Sequence, residues 1–235
     1  MICTANLVGI TAVSTSAFAE SAVQLEEVVV TARRRAELDQ EVPIATSVFN
    51  QSTIKRARIE RPADFINLTS NVSITDTANA GDTQVNIRGI TSTRDAEGTF
   101  AFVVDGVLIT NPNGFNQELF DIQSIEILKG PQGALYGRNA VSGAILVNTV
   151  PPSDEFESTI RIGGGTDGLQ KFGLSISGPL SDSLRGSLSV MSREDDGQQK
   201  NEFTGQDDVV DFVDEQNVRA RLVWDVSDRL TLDAV

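Results

Sequence analysis

The sequence contains no histidine and only one cysteine, Cys3, in 235 residues. Without histidine there is no imidazole acid–base chemistry, no Ser-His or Cys-His nucleophilic site and none of the common zinc ligand sets. Cys3 falls in an N-terminal stretch that reads as a cleaved leader, so the mature chain must hold together by packing, without a disulfide. Positive charge is also scarce: 19 Lys and Arg stand against 33 Asp and Glu, a net charge of −14. That balance argues against nucleic acid as a partner, because phosphate contacts need clustered Lys and Arg. No window supplies the 18 or so uninterrupted apolar residues that a membrane-crossing helix requires.

What is present begins with "MICTANLVGITAVSTSAFAE", in which Ala17-Phe18-Ala19 has the small-x-small form of a signal-peptidase site. Residues 1–19 are therefore expected to be a signal peptide. Its apolar run is short and lacks a basic start, so Met1 is expected to lie inside a longer natural leader. Residues 20–41 then carry "LEEVVVTARRR", three valines and a threonine of high strand propensity between charged flanks. Such a segment can add to the sheet edge of another protein or serve as an edge strand of its own domain. The residues by themselves leave those two readings level.

Residues 42–150 mix helix and strand signals. Pro62 suits the first turn of a short helix through Asp64, Phe65 and Leu68, where a missing N–H costs nothing. Thr83–Ile90 alternates Val85 and Ile87 with polar neighbours and predicts one strand. Phe100–Ile109 predicts a hairpin about Asp105-Gly106, which makes Asp105 a turn residue and not an acid catalyst. Glu118–Ile122 predicts one helical turn ahead of a strand over Ile125–Leu128.

After Pro151-Pro152 the pattern changes to period two, in Ser158–Gly163, Phe172–Ser177, Leu184–Met191, Asn217–Trp224 and Leu230–Ala234. In "VRARLVWDV" Val218, Ala220, Leu222 and Trp224 share one face, while Arg219, Arg221 and Asp225 mostly take the other. "GPLSDS" and "DVSD" are short turns. Arg193–Glu215 is a long link with nine acids against two bases, half of the net −14. Short and long links in alternation suit a transmembrane β-barrel; a soluble β-sandwich alternates as well. The acids match no EF-hand spacing and read as a solvated face. Five strands cannot close a barrel, so the sequence reads as a piece of a longer protein.

Between the two regions lies "IEILKGPQGALYGRNAVSGAILVNT", with Gly130, Gly133, Gly137 and Gly143 between apolar runs. It lacks the Gly-Lys-Ser/Thr end of a P-loop and the spacing of a dinucleotide site. The glycines therefore predict sharp turns and close backbone approach, with Gly133 and Gly137 both intolerant of valine. Arg88 in "NIRGI" and Lys129 in "LKGP" place charges in or at the ends of apolar strands. Their tips either reach water or need carboxylate partners. Glu126 is the carboxylate nearby in sequence that could serve Lys129, although i and i+3 on a strand point to opposite faces.

These stretches resemble the N-terminal part of the TonB-dependent outer-membrane receptors. "LEEVVVTARR" is similar to the TonB box, "VNIRGI" and "FVVDGV" to plug-domain strands, and the glycine segment to the plug signature. The resemblance implies an α+β plug domain (42–150), followed by the first antiparallel strands of a transmembrane barrel (151–235) that in the family has about 22 strands. It implies a bacterial outer-membrane receptor that imports a scarce ligand such as an iron–siderophore complex, cobalamin or an oligosaccharide, with no enzymatic activity, cofactor or metal. The TonB C-terminal domain, driven by the ExbB–ExbD motor, would pair with Glu27, Val28, Val29, Val30, Thr31 and Ala32. Plug positions carried over are Arg88, Gly89, Asp105, Gly106, Lys129, Gly130, Pro131, Gly133, Tyr136, Gly137, Arg138 and Gly143. In the family the two basic positions bridge to barrel carboxylates; Lys129 stands where arginine is common, so no two-pronged bridge is expected there. The short stretch from Glu20 to Leu25 leaves no room for the extra N-terminal domain of the signal-transducing subgroup. The other reading is a secreted or periplasmic α+β binding module with a β-sheet extension and no transport.

Overall fold

The computed structural model describes residues 29–30, 37–38, 44–76, 83–92, 98–111, 114–197, 202–203, 205 and 212–235. The expected leader lies outside them, as do Glu27, Val28, Thr31 and Ala32. Val29 and Val30 form β1 (Val29–Val30), which pairs antiparallel with β2 (Glu37–Leu38).

The mixed domain starts with β3 (Ala45–Asn50) and α1 (Gln51–Ala57). The Asn50 side chain accepts the Thr53 N–H at 2.9 Å and so caps the helix start. Arg58, at φ 52°, ends it. In α2 (Pro62–Asn67) proline does open the first turn. The Asp64 carboxylate accepts the N–H groups of Glu60 and Arg61 at 2.9 and 2.8 Å, satisfying donors the helix start leaves free.

Next come β4 (Val72–Asp76), β5 (Thr83–Ile87) and β6 (Ile90–Thr91), which form a three-stranded sheet. The expected single strand over Thr83–Ile90 is corrected here. Arg88 and Gly89 both take positive φ, 53° and 84°, and turn the chain back on itself. Such two-residue turns match the twist of the strands they join. Val85 and Ile87 are fully buried, as their alternation predicts.

A five-stranded sheet in the order β3-β9-β10-β7-β8 organises the rest. It comprises β7 (Phe100–Val104) and β8 (Val107–Ile109), joined at Asp105-Gly106, with β9 (Ile122–Lys129) and β10 (Gly143–Thr149). β10 runs parallel to β7 and antiparallel to β9. The one-turn helix α3 (Gly133–Tyr136) lies between β9 and β10. Both sheet faces are covered. Ile125, Ile127, Ile145 and Val147 pack with Phe65, Ile66 and Ile87 on one side, and Leu128, Ala144 and Leu146 pack with Ala101, Val103 and Ala140 on the other. Each fully buried aliphatic or aromatic side chain contributes about 1.5–3 kcal/mol, so this sheet is the domain's main source of stability.

The helical turn expected at Glu118–Ile122 does not form. The N–H of Glu118 donates to the Glu215 carboxylate at 2.8 Å, and that of Leu119 to the Glu60 carbonyl at 2.7 Å. Asp121 sits at φ 57°, outside right-handed helix space, and β9 begins at Ile122. Partners distant in sequence take the backbone bonds that a helix would have used.

The remaining strands are β11 (Glu157–Gly164), β12 (Gln170–Ser181), β13 (Leu184–Asp195), β14 (Val213–Ser227) and β15 (Leu230–Ala234). They pair antiparallel in chain order. All five alternating segments are strands, and β12, β13 and β14 run several residues beyond the alternation.

Candidate functional site: a polar wall against the mixed domain

Strand register sorts the second region into two faces. Ile160, Leu174, Val190 and Val218 stand opposite one another across β11–β14. Ile162 and Phe172, Ile176 and Leu188, and Leu184, Trp224 and Leu232 extend the same face. These side chains point away from the mixed domain and are largely exposed, Ile160 at 66% and Val218 at 71%. Along β12 the apolar face runs from Phe172 to Leu180, about 26 Å at a strand's rise per residue. At the roughly 35–45° tilt of barrel strands this spans about 20 Å of height, most of the apolar band of about 25 Å on a membrane barrel.

The other face is polar and meets the mixed domain in three clusters. In the first, Lys171, Arg193 and Glu215 lie in one register row. The Lys171 ammonium pairs with Glu60 and, at 3.4 Å, with Glu118. Arg193 holds Glu118 at 3.2 Å and Asp195 at 2.8 Å, and Arg61 meets Glu215 at 3.4 Å. In the second, the Asp121 carboxylate accepts the hydroxyls of Ser175 and Ser189 at 2.6 and 3.4 Å. Beside it the Phe120 ring lies under the Arg161 guanidinium, 5.1 Å from ring centre, and rests on Gly173, where any Cβ would strike it.

In the third cluster Asp105 accepts both the N–H and the hydroxyl of Thr149 at 2.8 Å. Arg221 donates to the Thr149 carbonyl at 3.4 Å, lies 3.7 Å from Asp105 and grips Asp233 with two nitrogens at 3.0 and 2.7 Å. Asp105 is thus the turn residue expected, at φ 47° with Gly106 at 84°. It also ties the exit strand of the mixed domain to the wall. A cavity of about 340 Å³ separates the β7–β8 hairpin from β13 and β14, lined by Val104, Ile109, Phe120 and Met191 among others.

The remaining positions singled out in the sequence fall elsewhere. Arg88 is exposed in its turn, not inside a strand. Lys129 is only 6% exposed, and its ammonium reaches the Ser70 hydroxyl at 3.4 Å. Burial, and secondly the nearby positive Arg88, lower its pKa from the ordinary lysine value. Among the described residues no carboxylate lies within ion-pair distance of either. Gly130, at φ 117°, passes beside the Arg88 guanidinium. Gly137 has φ 75° and ψ −144°, a conformation open in practice only to glycine.

Gly143 is buried, and a Cβ there would collide with the Leu128 carbonyl oxygen. The close approach is therefore to the neighbouring strand β9. Gly133 is corrected: its φ is ordinary and a Cβ there would meet open space, so no steric demand falls on it. Pro131 and Arg138 are exposed and Tyr136 is half-buried against the second core face.

Sequence reasoning missed Glu60, Arg61, Glu118, Asp121, Lys171, Arg193 and Glu215. Lys171 lies just before the alternating segment Phe172–Ser177 and Arg193 falls in what reads as the long acidic link, while their carboxylate partners in the mixed domain, Glu60 and Glu118, lie more than 70 residues away in sequence and carry no local signal.

Comparison with known proteins agrees with this architecture. Residues 39–144 match the family described as the TonB-dependent receptor plug domain. The pesticin receptor of Yersinia enterocolitica is 29% identical over 168 residues, covering 71% of this chain and 25% of that protein. The vitamin B12 transporter BtuB of Vibrio vulnificus is 27% identical over 183 residues, covering 75% and 29%. The crystal structure of the ferric yersiniabactin uptake receptor FyuA from Yersinia pestis superimposes with a TM-score of 0.71 at 27% identity, covering 77% of this chain and 29% of that one. The chain thus spans about a quarter of the length of the curated relatives it matches.

Proposed function

Because this chain belongs to the TonB-dependent receptor family, we propose that it supplies the plug and first barrel strands of an outer-membrane receptor for energised uptake of a scarce ligand. The carrying observation is the orientation of the five-stranded sheet. A soluble sandwich turns its apolar face onto its own core; here the polar face meets the plug and an apolar face about 26 Å long along β12 points outward. That inversion suits lipid outside and a hydrated plug inside. It favours the receptor over a secreted binding module.

The ligand class is an iron–siderophore complex or cobalamin, in line with the names of the relatives, or an oligosaccharide, as the family resemblance also allows. TonB recognition falls to Glu27–Ala32 by strand addition, with main-chain bonds supplying affinity. The short β1–β2 ladder occupies one edge of Val29–Val30, and among the described residues no strand pairs with the other. Arg88 and Lys129, two neighbouring cations, are suited to bridging carboxylates further along the barrel.

Growth and uptake with the intact gene under iron, cobalamin or glycan limitation test the transport reading, and loss of no nutrient's uptake on deleting the gene would refute it. A Leu25–Arg35 peptide should bind the TonB C-terminal domain, and Val29→Pro should abolish this by removing a backbone donor. Tight binding that survives the proline would sink the strand-addition mechanism.

A further inference from the structure

Nearly every cation on the plug-facing side of the five-stranded sheet is matched. Lys171, Arg185, Arg193 and Arg221 each have a carboxylate within ion-pair distance, and Arg161 lies over the Phe120 ring. Arg219 is the exception. Among the described residues no carboxylate reaches it, and its one hydrogen bond is long, 3.5 Å to the Phe120 carbonyl. Its remaining N–H donors are open to solvent, since none of its nitrogens is among the buried atoms without a partner.

Arg219 lines the cavity of about 340 Å³ between the β7–β8 hairpin and the wall. Register places this space midway along the wall. On β14, Asn217 and Arg219 fall between Glu215 of the first cluster and Arg221 of the third. The plug contributes an apolar lining of Val104, Val107, Ile109 and Phe120, to which β13 adds Met191. In the polar lining, Asn217 and Gln117 each spend one amide N–H, on Glu215 and on the Gly114 carbonyl, and keep a second. Glu118 also borders the cavity, but Lys171 and Arg193 already neutralise its carboxylate.

An unmatched cation with spare amide donors and an apolar lining suits a ligand of single negative charge and apolar body. A guanidinium favours a carboxylate, which it can hold with two parallel bonds. Size sets the other limit. An apolar cavity of about 150 Å³ takes benzene, so 340 Å³ has room for one ring and its carboxylate but lies at the small end of ligand sites. We propose that Arg219, Asn217 and Gln117, with the apolar face of the β7–β8 hairpin, form a binding site for a small monocarboxylate with an aromatic or branched body. Bound there, the anion meets the wall through Arg219 and the plug through Gln117, and so joins the two midway between the first and third clusters. The site does not rest on the transport reading.

The test is fluorine NMR of para-fluorobenzoate titrated into the complete receptor in detergent micelles, with empty micelles subtracted. The unaltered protein should bind it saturably, and Arg219→Gln should weaken binding by about tenfold or more, the effect of losing a charge-assisted bond. Val107→Trp, at an exposed position of β8 that borders the cavity, should block binding without altering any charge. Saturating probe should also slow amide hydrogen exchange at residues 117–120. If Arg219→Gln fails to fold, the neutral para-fluorobenzamide is compared on the unaltered protein and should bind at least about tenfold more weakly. Absence of saturable binding, as when a side chain of the complete barrel already fills the cavity, overturns the proposal. Equal affinity for Arg219→Gln, or for the benzamide, does so too. None of these readouts depends on uptake, so failure of the transport reading would be seen separately.

Discussion

Replacing Gly143 by alanine adds one methyl group where the structure has no room for it. Gly143 pairs with Lys129 on β9 and with Phe100 on β7, so it lies at the crossing of two ladders in the middle of the sheet. The new Cβ would collide with the Leu128 carbonyl oxygen and press on the Ile87 methyl at 3.2 Å. A backbone oxygen in a sheet centre cannot swing aside as a side-chain tip would. Overpacking of this kind costs about 1–3 kcal/mol, and loss of a ladder bond would add to it. Gly133→Ala is the internal control. Its site is open and helical, and alanine is the better helix former, so the change should be neutral or stabilising by at most about 1 kcal/mol. Urea titration of the 1–235 chain in detergent micelles, followed by hydrogen exchange in β9 and β10, measures both. Equal midpoints for Gly143→Ala and the unaltered chain, or equal damage from Gly133→Ala, would refute the packing argument.

Asp105→Ala should destabilise by about 1–3 kcal/mol in the same titration, because the buried Thr149 N–H and hydroxyl both lose their acceptor. Asp105→Asn, which tolerates φ 47° and keeps one carbonyl oxygen, should cost less. Lys129 gives a pH signature: its pKa is lowered in the folded chain, so the unfolded chain binds the proton more tightly. Stability should therefore rise with pH between that lowered value and 10.5. Lys129→Met, followed by melting from neutral to alkaline pH, should flatten this rise; an unchanged slope would show that Lys129 is not its source. Trp224, the only tryptophan and 49% exposed on the apolar face, should be quenched by brominated lipid acyl chains after insertion into vesicles. Fluorescence unaffected by the bromines would place that face in water.

Legibility from the sequence followed the range of the forces involved. The Asp105-Gly106 hairpin, the Pro62 helix start and all five alternating strands were readable, because turn chemistry and side-chain alternation act within a few residues. The turn at Arg88-Gly89 was missed because Val85 and Ile87 alternate correctly up to it, and a glycine inside such a run does not announce a reversal. The Glu118–Ile122 helix was a false expectation for the opposite reason: local propensity favoured it, and Glu215 and Glu60 claimed its backbone from afar. The glycines divided likewise. Positive φ at Gly130 and Gly137 and the buried approach at Gly143 supply reasons that composition can only hint at, and Gly133 has none.

By itself the sequence determined the two-part organisation, the absence of histidine and disulfide chemistry, and the apolar and polar faces of the later strands. It did so because period, turn residues and composition are local properties. Only the tertiary structure decided which of those faces meets the plug, and that decision carries the membrane reading. It also decided that Lys171 and Arg193 find Glu60 and Glu118, and that Arg221 closes on Asp105 and Thr149. Ion pairs joining strands to a separate domain depend on register and packing across the whole chain, and no stretch of sequence around either partner records them.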